Sequence, residues 1–257
     1  MKTKIKIFES GILDGIMSRN KKFYPSEMTQ EDINQKFLET RILLGKKHGF
    51  NGKKIFQALQ KNDINKIDYN NGKYIVLNEK HMYKDDFWYE PLPADILILE
   101  EKYKNIVVGN QMADCPILII EDRNKGVTAL SHCGASYINR ELPYQTAQSL
   151  IIEYNSNPKD LYAYIGSCAK KESYIYDKYP LWATNNEVWH GYIIENNKKF
   201  NIDLEGAIIN QLKKIGINQI QSSTKDTITN IEYYSHNAAV KGNINKKGQN
   251  FVGFFYE

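Results

Sequence analysis

Short apolar runs separated by turn-forming residues predict several β-strands along the chain. The predicted strands outside the centre of the chain are residues 4–8, 73–77, 96–99, 106–108, 161–165 and 251–256. Apolar residues at helical spacing predict helices at residues 29–45, 51–60, 146–154 and 203–214, and the last of these is stopped by Gly216. Residues 83–89, followed by two prolines, predict a loop. Strands and helices are mixed without strict βαβ alternation, so we expect a single α+β domain over residues 1–257, with mixed β-sheets and packed helices.

A β-hairpin is predicted at the centre of the chain, where the apolar run 117–120 is followed by a polar turn and a second apolar run that ends at His132. If residues 122–125 form the loop, Cys115 pairs directly with His132. Directly opposed residues have Cβ atoms about 4.5–5.5 Å apart and share one face of the sheet. A thiol and an imidazole so placed can share a metal ion or form a nucleophile–base pair. A one-residue slip would put them on opposite faces.

Composition excludes some classes of protein. The chain has 42% hydrophobic and 25% charged residues and a net charge of +4, which is typical of a globular domain. Its lysines are dispersed, so the charge predicts no nucleic-acid partner. No apolar stretch reaches the length of a membrane span, and none resembles a signal peptide. Three cysteines without the spacing of a disulfide framework predict reduced thiols, and we expect a cytoplasmic protein.

A third candidate ligand, His81, suggests a metal site. One sulfur and two nitrogens, from Cys115, His132 and His81, match a catalytic zinc that keeps its fourth position for water. Copper also suits these ligands. A laccase-type multicopper centre needs many more histidines than the five in this chain, so we exclude it. A structural zinc site would close with four ligands, so this class is excluded as well.

Several short motifs resemble those of one protein family. The matching segments are Ala113-Asp114-Cys115-Pro116, His132-Cys133-Gly134, Gly166-Ser167-Cys168-Ala169 with Tyr174, Asp203-Leu204 with Gly216-Ile217, and Tyr233-Tyr234-Ser235-His236-Asn237. Looser matches place a family histidine on His81 and family arginines on Arg19 and Arg41. On these residues the chain resembles the YfiH-like family, often labelled "polyphenol oxidase" or "laccase domain". Members of that family are purine nucleoside phosphorylases with adenosine deaminase activity.

The resemblance implies a role for each matching residue. His81, Cys115 and His132 would hold the metal ion, which would activate water for attack at C6 of adenine or orient the nucleoside for phosphate attack at C1′. Asp114 would be a proton shuttle, although a carboxylate that orients its neighbours is the simpler interpretation. Contacts to the purine nucleoside and to phosphate would come from a further set: Arg19, Arg41, Tyr174, Ser235 and His236. A polar strand end is the alternative interpretation of Ser235 and His236, and a core or rim position is that of Tyr174.

The chain also departs from the family pattern at cationic and stacking positions. A Trp-Arg pair of the family is replaced by Ala135-Ser136, and two later arginines are replaced by Asn237 and Gln249. Arginine is the side chain best suited to hold a phosphate. We therefore expect deamination to survive these replacements better than phosphorolysis.

Two other functions fit the same residues. In a metal-free cysteine hydrolase, Cys115 would be the nucleophile and His132 the base, and His81 would have no role. In a non-catalytic protein, the same pocket would bind a nucleoside or nucleotide without turnover, as the missing arginines would allow.

Overall fold

The computed structural model describes residues 5–52, 54–58, 73–82, 88–184 and 186–257. Its strands, β1 to β14, are Ile5–Glu9, Lys54–Ala58, Tyr74–Val76, Trp88–Leu92, Ile96–Glu100, Val107–Met112, Ile117–Asp122, Val127–His132, Leu161–Ile165, Ile175–Tyr176, Ile193–Asn196, Lys199–Ile202, Gln219–Ser222 and Asn250–Tyr256. Its α-helices, α1 to α6, are Gln30–His48, Glu79–Met82, Ala135–Ile138, Leu142–Tyr154, Leu204–Lys214 and His236–Val240.

Two sheets pack against each other at the centre of the fold. One has the strand order β1-β14-β6-β2-β4, and the other has the order β13-β9-β7-β8-β5-β3. Strand β14 illustrates the packing, because Val252 and Phe254 contribute to the core between the sheets. Phe251 and Phe255 belong to a separate core on the opposite face. Both faces of the strand are buried, which explains why its sequence is an unbroken apolar run.

Helices form the two outer layers. Helix α1 covers the outer face of the five-stranded sheet through Phe37 and Leu44. Helices α3, α4 and α5 cover the outer face of the six-stranded sheet, together with a small sheet of order β10-β12-β11. The result is the α+β domain with mixed sheets that the sequence predicts. None of the helices in the described ranges has the length and apolar character needed to cross a membrane.

The helix ends follow local side-chain chemistry. Helix α1 starts with a capping box, in which the Thr29 hydroxyl accepts a hydrogen bond from the Asp32 amide (3.1 Å) and the Asp32 carboxylate accepts one from the Thr29 amide (2.9 Å). It passes the predicted stop at Gly45 and ends at Gly49, whose φ of 85° is in the left-handed region that favours glycine. The predicted helix at residues 203–214 is confirmed as α5.

Two predictions from local pattern are wrong. The predicted helix over residues 51–60 is instead strand β2, with residues 53, 59 and 60 outside the described residues. Pairing with β4 and β6 outweighs the weak helical pattern there. The predicted loop over residues 83–89 ends inside strand β4, while residues 83–87 lie outside the described ranges. Proline is tolerated in β4 because this strand lies at the edge of its sheet.

Candidate active site at the end of the central hairpin

The central hairpin is confirmed, but its register differs from the prediction by two residues. Ile117 pairs with His132, and Asp122 pairs with Val127, so the predicted direct pairing of Cys115 with His132 is wrong. The reason is the turn. Asp122 stays in β7 and its side chain accepts hydrogen bonds from the amides of Asn124 (2.9 Å) and Lys125 (3.0 Å), which moves the loop towards Gly126. A shift of two residues preserves the face on which each side chain lies.

Cys115 and His132 are nevertheless brought together, around Gly134. A Cβ atom on Gly134 would lie 3.1 Å from Cys115 Sγ and 3.9 Å from His132 Nε2. Both groups therefore border the small space that the absent side chain leaves open. A sulfur and an imidazole nitrogen that border the same space suit zinc or copper, which bind these donors.

Burial determines the charge states of this pair. It raises the pKa of the Cys115 thiol to about 12, and the negative charge of Asp114 adds to the rise. It also lowers the pKa of His132 to about 4. Both side chains retain some exposed surface, yet at neutral pH the thiol keeps its proton and the imidazole is neutral. A thiolate–imidazolium pair, which a metal-free cysteine nucleophile would need, is disfavoured here.

Asp114 is held in place by three segments of the chain. Its carboxylate accepts hydrogen bonds from the Thr227 hydroxyl (2.8 Å) and from the Asn237 amide (2.6 Å). Its carbonyl oxygen accepts a hydrogen bond from the Ala169 amide (2.9 Å). The residue has a φ of 85°, which is unusual for a residue other than glycine. Both carboxylate oxygens of Asp114 thus accept hydrogen bonds from the protein, which favours the orienting role over proton transfer.

His81 lies in the short helix α2. Its Nδ1 accepts a hydrogen bond from the Asn78 amide (3.1 Å), and its ring lies edge-on to Phe56 at a centroid distance of 6.4 Å. Among the described residues, no three His, Cys, Asp or Glu side chains are grouped closely enough to hold a metal ion. The described structure thus brings two candidate ligands, Cys115 and His132, close to each other, and the ligand role of all three residues stays a prediction.

Tyr174 lies near the cysteine. Its hydroxyl is 3.0 Å from that of Tyr176. Burial raises the pKa of Tyr174, the hydrogen bond with Tyr176 adds to the rise, and the proximity of Cys115 and Asp114 contributes as well. The ring therefore lies within electrostatic range of Cys115, on the side formed by the small β10-β12-β11 sheet.

The other predicted binding residues have different surroundings. Ser235 is fully buried, and its hydroxyl accepts a hydrogen bond from the Ala238 amide at the start of α6 (3.1 Å), whereas the next residue, His236, is exposed. Arg19 is an exposed residue whose carbonyl accepts a hydrogen bond from the Gln30 side chain (3.2 Å). Arg41 is fully buried in α1, with its guanidinium 5.3 Å from the ring centre of Phe37.

A separate cavity of about 790 Å³ opens between β1 and β13, and its lining does not include Cys115 or His132. Its charged side chains contact other protein groups. Arg123 donates to Glu121 (2.9 Å), and Glu9 accepts from the Tyr164 hydroxyl and the Ser167 amide.

The sequence analysis missed two residues that support the site, Thr227 and Lys246. Thr227 contacts Asp114 directly, and the Lys246 ammonium is bound to the turn that carries Thr227. Both lie in polar stretches that resemble ordinary surface segments, and only the folded chain brings them beside the central hairpin.

The fold and this pair of side chains define a class of protein: a two-sheet α+β domain with a thiol and an imidazole at the end of its central hairpin. The family model described as "Multi-copper polyphenol oxidoreductase laccase" matches residues 27–249. The chain belongs to this family, the laccase-domain or YfiH family. No curated protein matches the chain.

Three solved structures share the fold. The Bacillus licheniformis hypothetical protein YfiH has a TM-score of 0.66 and 15% identity, with 87% of this chain and 82% of that chain covered. YlmD from Geobacillus stearothermophilus has a TM-score of 0.68 and 15% identity, with 87% and 81% covered. The Neisseria meningitidis protein NMB0706, assigned to DUF152, has a TM-score of 0.63 and 15% identity, with 100% and 96% covered. At this identity the likeness concerns the fold alone.

Proposed function

We propose that this protein is a metal-dependent purine nucleoside enzyme whose main reaction is the hydrolytic deamination of adenosine. The observation that carries the proposal is that Cys115 Sγ and His132 Nε2 both border the space beside Gly134. Family membership supports an enzyme of this type. Zinc is the proposed metal, with copper as the second choice, and His81 is the proposed third ligand.

The residues of the chain would have distinct tasks. Cys115 and His132 would bind the metal, and Asp114 would keep the backbone before Cys115 in its unusual conformation through its three hydrogen bonds. Tyr174 would contact the purine. A zinc ion bound here would supply a Lewis acid and a water of pKa about 7. In the overall reaction adenosine and water give inosine and ammonia, so no phosphate and no phosphate-binding arginine is required.

The test compares metal content with turnover. Zinc per chain is measured by elemental mass spectrometry on protein purified without chelator, and adenosine and inosine are supplied with and without phosphate. Wild type should carry about one zinc and convert adenosine to inosine without phosphate. Cys115→Ala and His132→Ala should lose both properties, and His81→Ala tests the third ligand. Matched controls are Cys168→Ala, a buried thiol elsewhere, and His190→Ala, an exposed imidazole.

Other results would support the alternative functions. Zinc without turnover would favour a non-catalytic nucleoside-binding protein, the function that the missing arginines would allow. A protein without metal whose Cys115 is rapidly alkylated at neutral pH would contradict the proposal and favour the cysteine hydrolase. Release of free base only when phosphate is present would indicate phosphorolysis.

A further inference from the structure

Lys246 is an almost completely buried lysine, with 4% of its surface exposed, at the end of a short 3₁₀ turn, Ile244–Lys246. Its ammonium donates hydrogen bonds to the carbonyl oxygens of Thr227 (2.5 Å), Ile228 (3.0 Å) and Asn230 (2.7 Å). An ammonium has three N–H donors, so the turn at residues 227–230 uses all of them. Main-chain carbonyls surround this group as they would surround a bound monovalent cation.

The side chain of Lys246 is connected to Asp114 through Thr227. The carbonyl of Thr227 binds the ammonium, and its hydroxyl donates to Asp114 Oδ1 (2.8 Å). The amide of Thr227 also donates a hydrogen bond to the carbonyl of Cys168 (3.1 Å). One oxygen of the Asp114 carboxylate is therefore held by a turn that is organised around the Lys246 ammonium.

The main chain of Lys246 is connected by hydrogen bonds, through the start of α6, to the other oxygen of the Asp114 carboxylate. Its carbonyl accepts a hydrogen bond from the Ser235 amide (3.0 Å). Ser235 is the N-cap of α6, and the second residue of that helix, Asn237, donates its amide to Asp114 Oδ2 (2.6 Å). Both oxygens of the carboxylate are thus held by segments that Lys246 joins.

The consequence for the site follows from the backbone of Asp114. A φ of 85° is costly for a residue with a side chain and persists only where surrounding contacts impose it. Here the imposed conformation determines where the next residue, Cys115, places its sulfur. Losing the contacts to the carboxylate would let the backbone relax and would move Sγ relative to His132.

We propose that Lys246 is a positioning residue whose buried ammonium acts as a built-in monovalent cation, holding the 227–230 turn and α6 so that Asp114 fixes Cys115 beside His132. This inference rests on the proposed function where it concerns metal binding. The geometry of Cys115 itself does not depend on that function and can be measured separately.

The experiment compares three variants with wild type. Lys246→Met keeps an apolar stem and removes the ammonium, and Lys246→Ala leaves room for an external cation. Lys247→Met is the matched control, because it removes the charge of the neighbouring, exposed lysine. The readouts are the affinity for Co²⁺, followed by the thiolate-to-cobalt absorption band, and the rate at which iodoacetamide alkylates Cys115, followed by mass spectrometry of its peptide. Each is measured in ammonium, potassium and tetramethylammonium chloride at equal ionic strength.

Lys246→Met should bind Co²⁺ about 10–100-fold more weakly than Lys247→Met and should be alkylated faster at Cys115. Lys246→Ala should show the same defects in tetramethylammonium chloride and recover in ammonium or potassium chloride, because only the small cations fit among the three carbonyls. A side chain that only added to overall stability would leave the Co²⁺ affinity of the folded variants equal to that of Lys247→Met.

Equal Co²⁺ affinity and equal alkylation in Lys246→Met and Lys247→Met would overturn the inference, and so would equal recovery of Lys246→Ala in all three salts.

If wild type binds no metal, the proposed function fails, and the alkylation rates alone decide the role of Lys246. If the alanine variant folds only in ammonium or potassium chloride, the inference is supported. If it folds in none of the salts, the methionine variant decides. If neither folds in any salt, the built-in cation cannot be replaced by an external one and the inference is overturned.

Discussion

Gly134 is the residue on which the geometry of the candidate site depends most directly. Its φ of −67° is ordinary for any residue, so alanine is compatible with the backbone. The new Cβ would, however, occupy space that Cys115 Sγ and His132 Nε2 both border, at 3.1 Å and 3.9 Å from these atoms. We predict that Gly134→Ala weakens zinc binding by about tenfold or more while leaving the thermal unfolding midpoint nearly unchanged. Isothermal titration with zinc and a melting curve check both parts, with Ser136→Ala as the control. Unchanged zinc affinity would show that the metal does not use this space.

His48 predicts a pH dependence of stability. Burial lowers its pKa from the ordinary 6.5, the charge of Lys47 adds to this, and Asp14 partly opposes it. As the pH falls below about 6.5, the unfolded chain takes up a proton before the folded chain does, so the free energy of unfolding decreases. His48→Gln removes this contribution and should flatten the decrease between about pH 7 and pH 5. Urea titrations of both proteins at several pH values measure it.

The buried imidazole of His132 acts in the same direction in the metal-free chain and is present in both proteins. The difference between the two pH profiles therefore isolates His48. Parallel profiles would contradict the prediction.

At the scale of elements, the sequence predicts those whose signals are local. Helices α1 and α5 have capping residues and apolar spacing that can be recognised without the fold. The central hairpin is recognised from two apolar runs. Its register is not, because it depends on the hydrogen bonds that the Asp122 side chain makes with the amides of the turn. The strands β10 to β13 are short, and β11 to β13 carry exposed polar positions, so all four form only because neighbouring strands pair with them.

The candidate site likewise contains residues that the local sequence predicts and residues that only the folded chain brings together. Cys115, His132 and Asp114 come from one continuous hairpin motif, so the sequence alone predicts that they lie together. Thr227 contacts Asp114 from more than a hundred residues away along the chain, and Lys246 in turn contacts Thr227. Nothing in their local sequence encodes that contact, and the packing of the last third of the chain against the hairpin creates it.

Helix α5 provides a prediction at this scale. The Asp203 carboxylate accepts a hydrogen bond from the Gly206 amide (2.7 Å) and so satisfies one free donor at the start of the helix. Asp203→Ala should lower the free energy of unfolding by about 1 kcal/mol, as measured by urea denaturation. The exposed residue Lys213, near the other end of the helix, supplies the control Lys213→Ala, which should change it by less than about 0.5 kcal/mol. Equal effects of the two substitutions would contradict a capping role.

At the scale of the whole molecule, stability depends on the core between the two sheets. Leu130 in β8 is fully buried there, between residues of both sheets. Leu130→Ala should lower the free energy of unfolding by about 2–5 kcal/mol, because it removes buried apolar surface and leaves a cavity. Leu43, which is 63% exposed on α1, provides the control Leu43→Ala, with an expected change below about 0.5 kcal/mol. Chemical denaturation of both variants measures the contrast, and similar losses would mean that the sheets are not packed as described.

The order of the five-stranded sheet has a consequence for synthesis of the chain. Strand β14, near the end of the sequence, lies between β1 and β6, which are made much earlier. During synthesis, β1 and β6 therefore each have an unpaired edge until β14 leaves the ribosome. Exposed apolar edges of this kind favour aggregation. The six-stranded sheet needs no strand later than β13, so it can assemble first. Nascent chains stalled before residue 250 should therefore contain the hairpin with Cys115 and His132, while β1 and β6 still lack the strand that pairs with both of them.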